Sequence, residues 1–179
     1  VDEREHLFVG KVEIGGNTRT RDRVIRRHSS LISGEPLSLI AMDDTLERLR
    51  ATGLFSDVSL SATDTGVPGR KDVQIEVEER DTIGRWDIGG GASRGQGEVG
   101  YFRLEHTNFD LFALPKSPGD WSNAFVGGGQ SVYAEIIPGN EESRYTFGFH
   151  EPYFFSTSRA FTLRTGSQMF RRDIYDESR

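Results

Sequence analysis

Leu49-Arg50-Ala51-Thr52-Gly53-Leu54-Phe55-Ser56-Asp57-Val58 is the stretch on which the fold turns. Upstream of it, Leu39, Met42, Leu46 and Leu49 recur at helical spacing from a start near Ser38. Gly53 supplies a left-handed C-cap, so that Phe55 can begin a strand. Working outward, Leu7 to Ile14 alternates, with Phe8, Gly10, Val12 and Ile14 on one face and Val9, Lys11 and Glu13 on the other, and it ends in the turn Gly15-Gly16-Asn17. Thr20 is the expected N-cap of a first helix that has Asp22 in its opening turn, carries Val24, Ile25, His28, Leu31 and Ile32 on its apolar face, and stops at Gly34 before Pro36. Downstream, Phe55 to Ala62 and Asp72 to Glu79 read as strands separated by a loop with Gly66, Pro68 and Gly69. The order strand, helix, helix, strand, strand predicts a small mixed sheet with both helices on one face, an α+β domain.

The composition changes near residue 80. Residues 1–80 hold two aromatics and 7 glycines; the rest of the 179-residue chain holds 17 aromatics and 14 glycines. Each part nets −3, which argues against a basic nucleic-acid arm. From Ile83 onward helical spacing gives way to alternation. Trp86, Ile88 and Gly90 oppose Arg85, Asp87 and Gly89; Phe102 and Leu104 oppose Arg103 and Glu105; Val132, Ala134 and Ile136 oppose Ser131, Tyr133 and Glu135. Tyr145, Phe147 and Phe149 oppose Arg144, Thr146, Gly148 and His150, and Phe161, Leu163 and Thr165 oppose Thr162, Arg164 and Gly166. Turn signals at 93–97, 118–120, 138–140 and 156–158 separate these segments. Each approximates the 9–11 or so residues of a tilted membrane-crossing strand, apolar on one face and small or polar on the other. A soluble β-sandwich would alternate in the same way.

The pieces Ile14-Gly15-Gly16-Asn17-Thr18-Arg19-Thr20, Val24-Ile25-Arg26-Arg27, Gly34-Glu35-Pro36 and residues 49–58 together resemble a polypeptide-transport-associated (POTRA) domain. Gly89-Gly90-Gly91-Ala92-Ser93, Gly97-Glu98-Val99-Gly100-Tyr101, His106-Thr107-Asn108-Phe109-Asp110-Leu111-Phe112 and Glu151-Pro152-Tyr153-Phe154 are similar to the opening barrel strands of the outer-membrane protein assembly factors, the BamA-type insertases. The resemblance implies a POTRA domain at 1–81 followed by an antiparallel β-meander at 82–179, the N-terminal part of a transmembrane β-barrel. Ala113 to Asn123, with Lys116 and Trp121, departs from the family's short turn at this point. About five strands are too few to close a barrel, which needs at least about eight, so the chain is expected to be a fragment that binds detergent or self-associates.

Other classes are excluded or reduced. With no cysteine there is no disulfide framework and no thiolate metal site. No apolar run approaches the roughly 18 residues of a membrane helix, and no leader opens the chain, so an export signal is expected to be already removed. Gly95-x-Gly97-x-x-Gly100 matches a dinucleotide fingerprint but precedes a strand pattern rather than a helix, so it reads as a hairpin turn. Gly89 to Gly91 and Gly127 to Gly129, within alternating segments, read as curvature, bulges or weak strand. Arg19, Arg21, Arg23, Arg26 and Arg27 read as a solvated helix face, with anionic lipid or an acidic partner as the alternative. His6, His28, His106 and His150 lack ligand spacing, His28 reads as a satisfied core histidine, and Asp43-Asp44 reads as solvated. No Gly-x-Ser-x-Gly elbow occurs. No catalytic residue, metal site or cofactor is expected, and no enzyme.

The resemblance implies instead that the parent protein folds and inserts β-barrel proteins by strand pairing. Its partners would be unfolded outer-membrane protein clients, accessory assembly lipoproteins and outer-membrane lipid, with no nucleic acid. The barrel would lie in the outer membrane of a Gram-negative-type bacterium and the POTRA domain in the periplasm. Two edges are the candidate sites: Asp57, Val58, Ser59 and Leu60, and Arg85, Trp86, Asp87, Ile88, Gly89, Gly90 and Gly91, where the triple glycine should pair poorly. A related secretion or translocation pore and a soluble α+β protein-binding module are the alternatives.

Overall fold

Strand β1 (Phe8–Gly15) leads into helices α1 (Asp22–His28) and α2 (Leu39–Ala51), which are followed by strands β2 (Phe55–Asp64), β3 (Arg70–Glu79), β4 (Gly84–Ser93), β5 (Gly97–Phe109), β6 (Gln130–Ile137), β7 (Glu142–Glu151) and β8 (Phe161–Phe170). The structure, a computed structural model, describes residues 7–81, 84–93, 97–121, 124–140, 142–154 and 159–171. His6, the proposed 156–158 turn and parts of the 93–97 turn lie outside these. So do residues 82–83, where the sequence break was placed. None of the helices is long and apolar enough to cross a membrane. Two compact units form: residues 1–83 together with 110–129, and residues 84–109 together with 130–179.

In the first unit the sheet order is β1-β3-β2, with β1 parallel and β2 antiparallel to β3. Val24 and Ile25 of α1 and Leu49 of α2 pack with Leu54, Phe55, Val58, Ile75 and Val77 in one core cluster, which puts both helices on the same sheet face. Val9, Leu31 and Val73 form a second cluster. The simple alternation read for β1 fails midway: Val9 is buried while Phe8 is exposed, yet Val12 and Ile14 also pack inward. A register shift between Val9 and Val12 changes the phase, and the Asp72 carboxylate accepts the Lys11 N–H there at 2.5 Å.

The reading of α1 needs correction at both ends. Arg21, not Thr20, is the N-cap of α1, and it makes no side-chain cap. The helix ends at His28 rather than near Gly34. Ser29 and Ser30 divert the chain, because Ser29 Oγ accepts the Leu31 N–H and Thr45 Oγ1 accepts the Ser30 N–H, and these offer the backbone an alternative to further helix. Helix α2 starts as expected, with Ser38 Oγ capping the Ile40 N–H. Leu39, however, is exposed, and the buried position is taken by Thr45, whose hydroxyl donates to the Ala41 carbonyl. Gly53 has φ +70°, as its capping role requires, and Gly16 has φ +82° with its α-carbon pressed on the Val77 carbonyl, where a Cβ would sit at 1.9 Å.

In the second unit the five strands form one antiparallel meander, β4-β5-β6-β7-β8. Its register aligns Trp86 with Leu104, Leu104 with Ala134, Ala134 with Phe147 and Phe147 with Thr165. Directly paired residues share a face, so the apolar members of all five strands lie together. Trp86, Ile88, Leu104, Ile136, Tyr145, Phe147 and Leu163 are exposed on it. The opposite face carries Arg85 paired with Glu105 at 3.0 Å and Arg103 paired with Glu135 at 2.6 Å.

Candidate functional site: two strand edges

Strand β2 is an edge of the three-stranded sheet. Its pairing with β3 runs from Phe55 to Asp64 with one bulge, between Phe55 and Asp57. Val58 is buried and Leu60 is half-buried against the core, while Asp57 and Ser59 face solvent. These side chains fix the strand without covering it. Two carbonyls of the strand accept from side chains: Arg50 Nη2 of α2 donates to Val58 at 3.2 Å and Arg80 Nε to Phe55 at 3.0 Å.

Strand β4 is an edge of the five-stranded sheet. All ten of its residues pair with β5, from Gly84 with His106 to Ser93 with Gly97, without a bulge. The three glycines differ. A Cβ on Gly89 would fall 2.4–2.8 Å from the ring and hydroxyl of Tyr101, so the cross-strand aromatic lies over this position. A Cβ on Gly90 would meet the Val99 carbonyl at 3.2 Å, and one on Gly91 would meet nothing. The triple glycine is thus one aromatic seat followed by increasingly open edge. Trp86 and Ile88 project from the apolar face at 66% and 72% exposure, and Arg85 and Asp87 lie on the polar face, 3.7 Å apart.

In the basic segment of the first unit Arg21, Arg23 and Arg26 are exposed, as a solvated face requires, yet four of the five arginines are also held by specific partners. Arg19 Nη2 donates to the Arg80 carbonyl at 2.7 Å, and Arg26 Nη1 donates to the Val12 carbonyl at 3.3 Å. Arg21 and Arg23 converge on Asp110 at 2.8 and 3.3 Å, and the Asp110 side chain is fully buried. Sequence reading quoted Asp110 only within the 106–112 resemblance and gave it no role, because its arginine partners lie about 90 residues upstream. The glycines at 127–129 are also reassigned. Gly127 has φ +100°, and a Cβ there would lie 2.2 Å from the Arg19 carbonyl; Gly129 has φ +73° and faces Val24. They let the 110–129 segment lie against α1 rather than curving a strand. The unexplained insertion therefore packs with the first unit.

Glu79, at the end of β3, holds the segment before α1. It accepts from Thr18 N and Oγ1, Arg19 N and Thr20 N at 2.6–3.0 Å. Burial alone would push its carboxyl up, but these donors overcome that and hold it down at about 2. His28 is the satisfied core histidine expected: Nδ1 lies 2.8 Å from the Val24 carbonyl, and burial pushes its pKa down. Asp44 accepts from Ser30 and Arg48, which lower its pKa. Gly97 opens β5 directly, so no helix N-terminus follows the glycine fingerprint.

Comparison with known proteins accounts for both units. Residues 7–80 match the POTRA family, surface antigen variable number repeat. The chain is 28% identical over 118 residues to the outer membrane protein assembly factor BamA of Neisseria meningitidis, covering 65% of this chain and 14% of that protein. It is 27% identical over 82 residues to BamA of Nitratidesulfovibrio vulgaris, covering 46% and 10%. Thus it spans about a seventh or less of the curated relatives it matches. Among solved structures, BamA from Haemophilus ducreyi lacking POTRA domains 1–3 superposes with TM-score 0.69 at 21% identity, covering 92% of this chain and 28% of that one. CdiB from Acinetobacter baumannii gives 0.50 at 9% identity, covering 82% and 25%. Residues 7–80 thus match the POTRA family model, and over 92% of its length the chain has a fold like that of BamA from Haemophilus ducreyi.

Proposed function

We propose that the parent protein is an outer-membrane protein assembly factor that accepts extended client strands on sheet edges, with the barrel in the outer membrane and the POTRA domain in the periplasm. The observation that carries this reading is the pair of open edges, β2 and β4, on a chain whose curated relatives are assembly factors. That naming favours assembly over a secretion pore. An edge offers unpaired N–H and C=O groups to any extended segment, so main-chain hydrogen bonds give affinity that depends little on client sequence. The residues Asp57 to Leu60 and Arg85 to Gly91 are the proposed docking strands, and no covalent step is required. Accessory assembly lipoproteins are further proposed partners for the β2 edge. At β4 the client would approach the open Gly90-Gly91 end more easily than Gly89, where Tyr101 covers the backbone.

These 179 residues contain no cysteine, so any cysteine in the rest of the parent protein would first be replaced by serine. Gly91→Cys and Ser59→Cys, introduced into the parent protein in its membrane, should form disulfides with cysteines in a client's terminal strand at every second client position, as pairing along one edge requires. Normal client assembly with no adduct at either site would exclude these edges.

A further inference from the structure

Residues 110–121 present an apolar tip on a hydrogen-bonded base. Asp110 accepts the Phe112 N–H at Oδ1, 3.0 Å, and binds Arg21 and Arg23 through Oδ2. The Asp110 N–H donates to the Phe125 carbonyl at 2.8 Å, and the Phe125 N–H donates to the Ala113 carbonyl at 2.7 Å. On this base Leu111, Phe112, Leu114 and Trp121 are 49%, 78%, 66% and 65% exposed. Four large apolar side chains within eleven residues of a water-facing loop would be an unexplained cost.

The covalent position of the loop names the occupant. Phe109 is the last residue of β5, and Leu111 is two residues beyond it, within about 7 Å at the usual rise per residue. The headgroup layer on each side of a bilayer is about 5–8 Å thick, so these side chains leave a membrane-crossing strand at the depth of that layer. Trp favours this depth because its apolar ring carries an N–H that can stay wet, while Phe and Leu bury apolar surface on the acyl side of it. Lys116 and Asp120 cancel, so the tip has no net charge to make an acidic or basic protein face its natural partner. The N–H groups of Asp110, Phe112, Ala113 and Phe125 are already bonded within the segment, which lowers the cost of leaving water. We propose that residues 111–121 form a membrane-interface anchor, with Phe112, Leu114 and Trp121 in the headgroup–acyl boundary and Asp110 clamping the base on the POTRA domain. This rests on the outer-membrane reading above.

The two tryptophans separate the two ideas. In vesicles of phosphatidylethanolamine and phosphatidylglycerol, Trp86→Phe leaves Trp121 as reporter of the loop, and Trp121→Phe leaves Trp86 as reporter of the barrel face. Trp121 emission should shift blue and be quenched most by lipids brominated near the headgroup, and Trp86 should also be quenched. Phe112→Ser with Leu114→Ser should abolish the quenching of Trp121 and leave that of Trp86. Quenching of Trp86 without Trp121 overturns the anchor and leaves the membrane reading intact; quenching of neither overturns the membrane reading. A Trp121 shielded from aqueous iodide but untouched by bromine assigns the tip to a protein contact, and likewise overturns the anchor.

Discussion

The two sheets of this chain use the same apolar alternation with opposite outcomes. In β3, Val73, Ile75 and Val77 are buried beneath α1 and α2, whereas in β4 and β7 Trp86, Ile88, Tyr145 and Phe147 stand exposed on their face. A period of two decides which residues share a face, but not what covers that face. Helices supply the cover in the first unit; on the function proposed above lipid supplies it for the second sheet, where alternation keeps mean hydropathy low.

The comparison can be broken most severely at the core. Leu49→Ala should cost about 2–5 kcal/mol in urea unfolding of the POTRA unit, because it leaves a cavity between α2 and β3. Ile88→Ala, which empties only exposed surface, should shift the same transition by less than about 0.5 kcal/mol while weakening retention in detergent or lipid. Equal losses would mean that β4 hides a core of its own.

Glu79 sharpens the contrast within the POTRA unit, since it is a buried charge satisfied by backbone rather than by packing. Its folded-state pKa of about 2 lies below the ordinary 4.5, so its stabilisation is complete above pH 4.5 and is lost as pH falls from there towards 2. At about 1.4 kcal/mol per unit the shift sets a ceiling of about 3 kcal/mol, and solvent screening reduces the expected effect to about 1–2 kcal/mol. Glu79→Gln should lose that amount at pH 7 and flatten the stability profile between pH 4.5 and 2. Urea midpoints across the range check both.

Glycine substitutions test whether the β4 edge is uniformly weak. Gly89→Val must displace the Tyr101 ring and should cost about 1–3 kcal/mol, whereas Gly91→Val should fall within about 0.5 kcal/mol. Amide exchange along β4 would show faster exchange for the first variant alone. The smallest effect is expected at the other edge. Arg50→Ala removes one hydrogen bond to the Val58 carbonyl, worth about 0.5–1.5 kcal/mol, and opens an acceptor on β2. Stronger binding of an extended peptide, or more self-association in sedimentation, would reveal the opened edge.

Much of this was legible in the residues. Ser38 and Gly53 punctuate α2 through local chemistry, and the alternating segments after residue 83 fixed both strand type and shared face. What escaped the reading has non-local causes. The end of α1 at His28 depends on Thr45, which takes the Ser30 N–H from a position 15 residues away. The phase change in β1 involves Asp72, 61 residues away. The arginines' partners, Asp110 and the carbonyls of Val12 and Arg80, escaped the reading because they lie elsewhere in the sequence.

By itself the sequence determined element type, face pairing and the two-part composition, because helix caps, turn glycines and periodicity act over a few residues. Only the tertiary structure decided what each charged or glycine position is for. It placed Asp110 under Arg21 and Arg23, pressed Gly127 against the Arg19 carbonyl, and laid Tyr101 over Gly89. Buried charge and close backbone approach are satisfied by partners distant in the chain, and no local pattern encodes which partner that is.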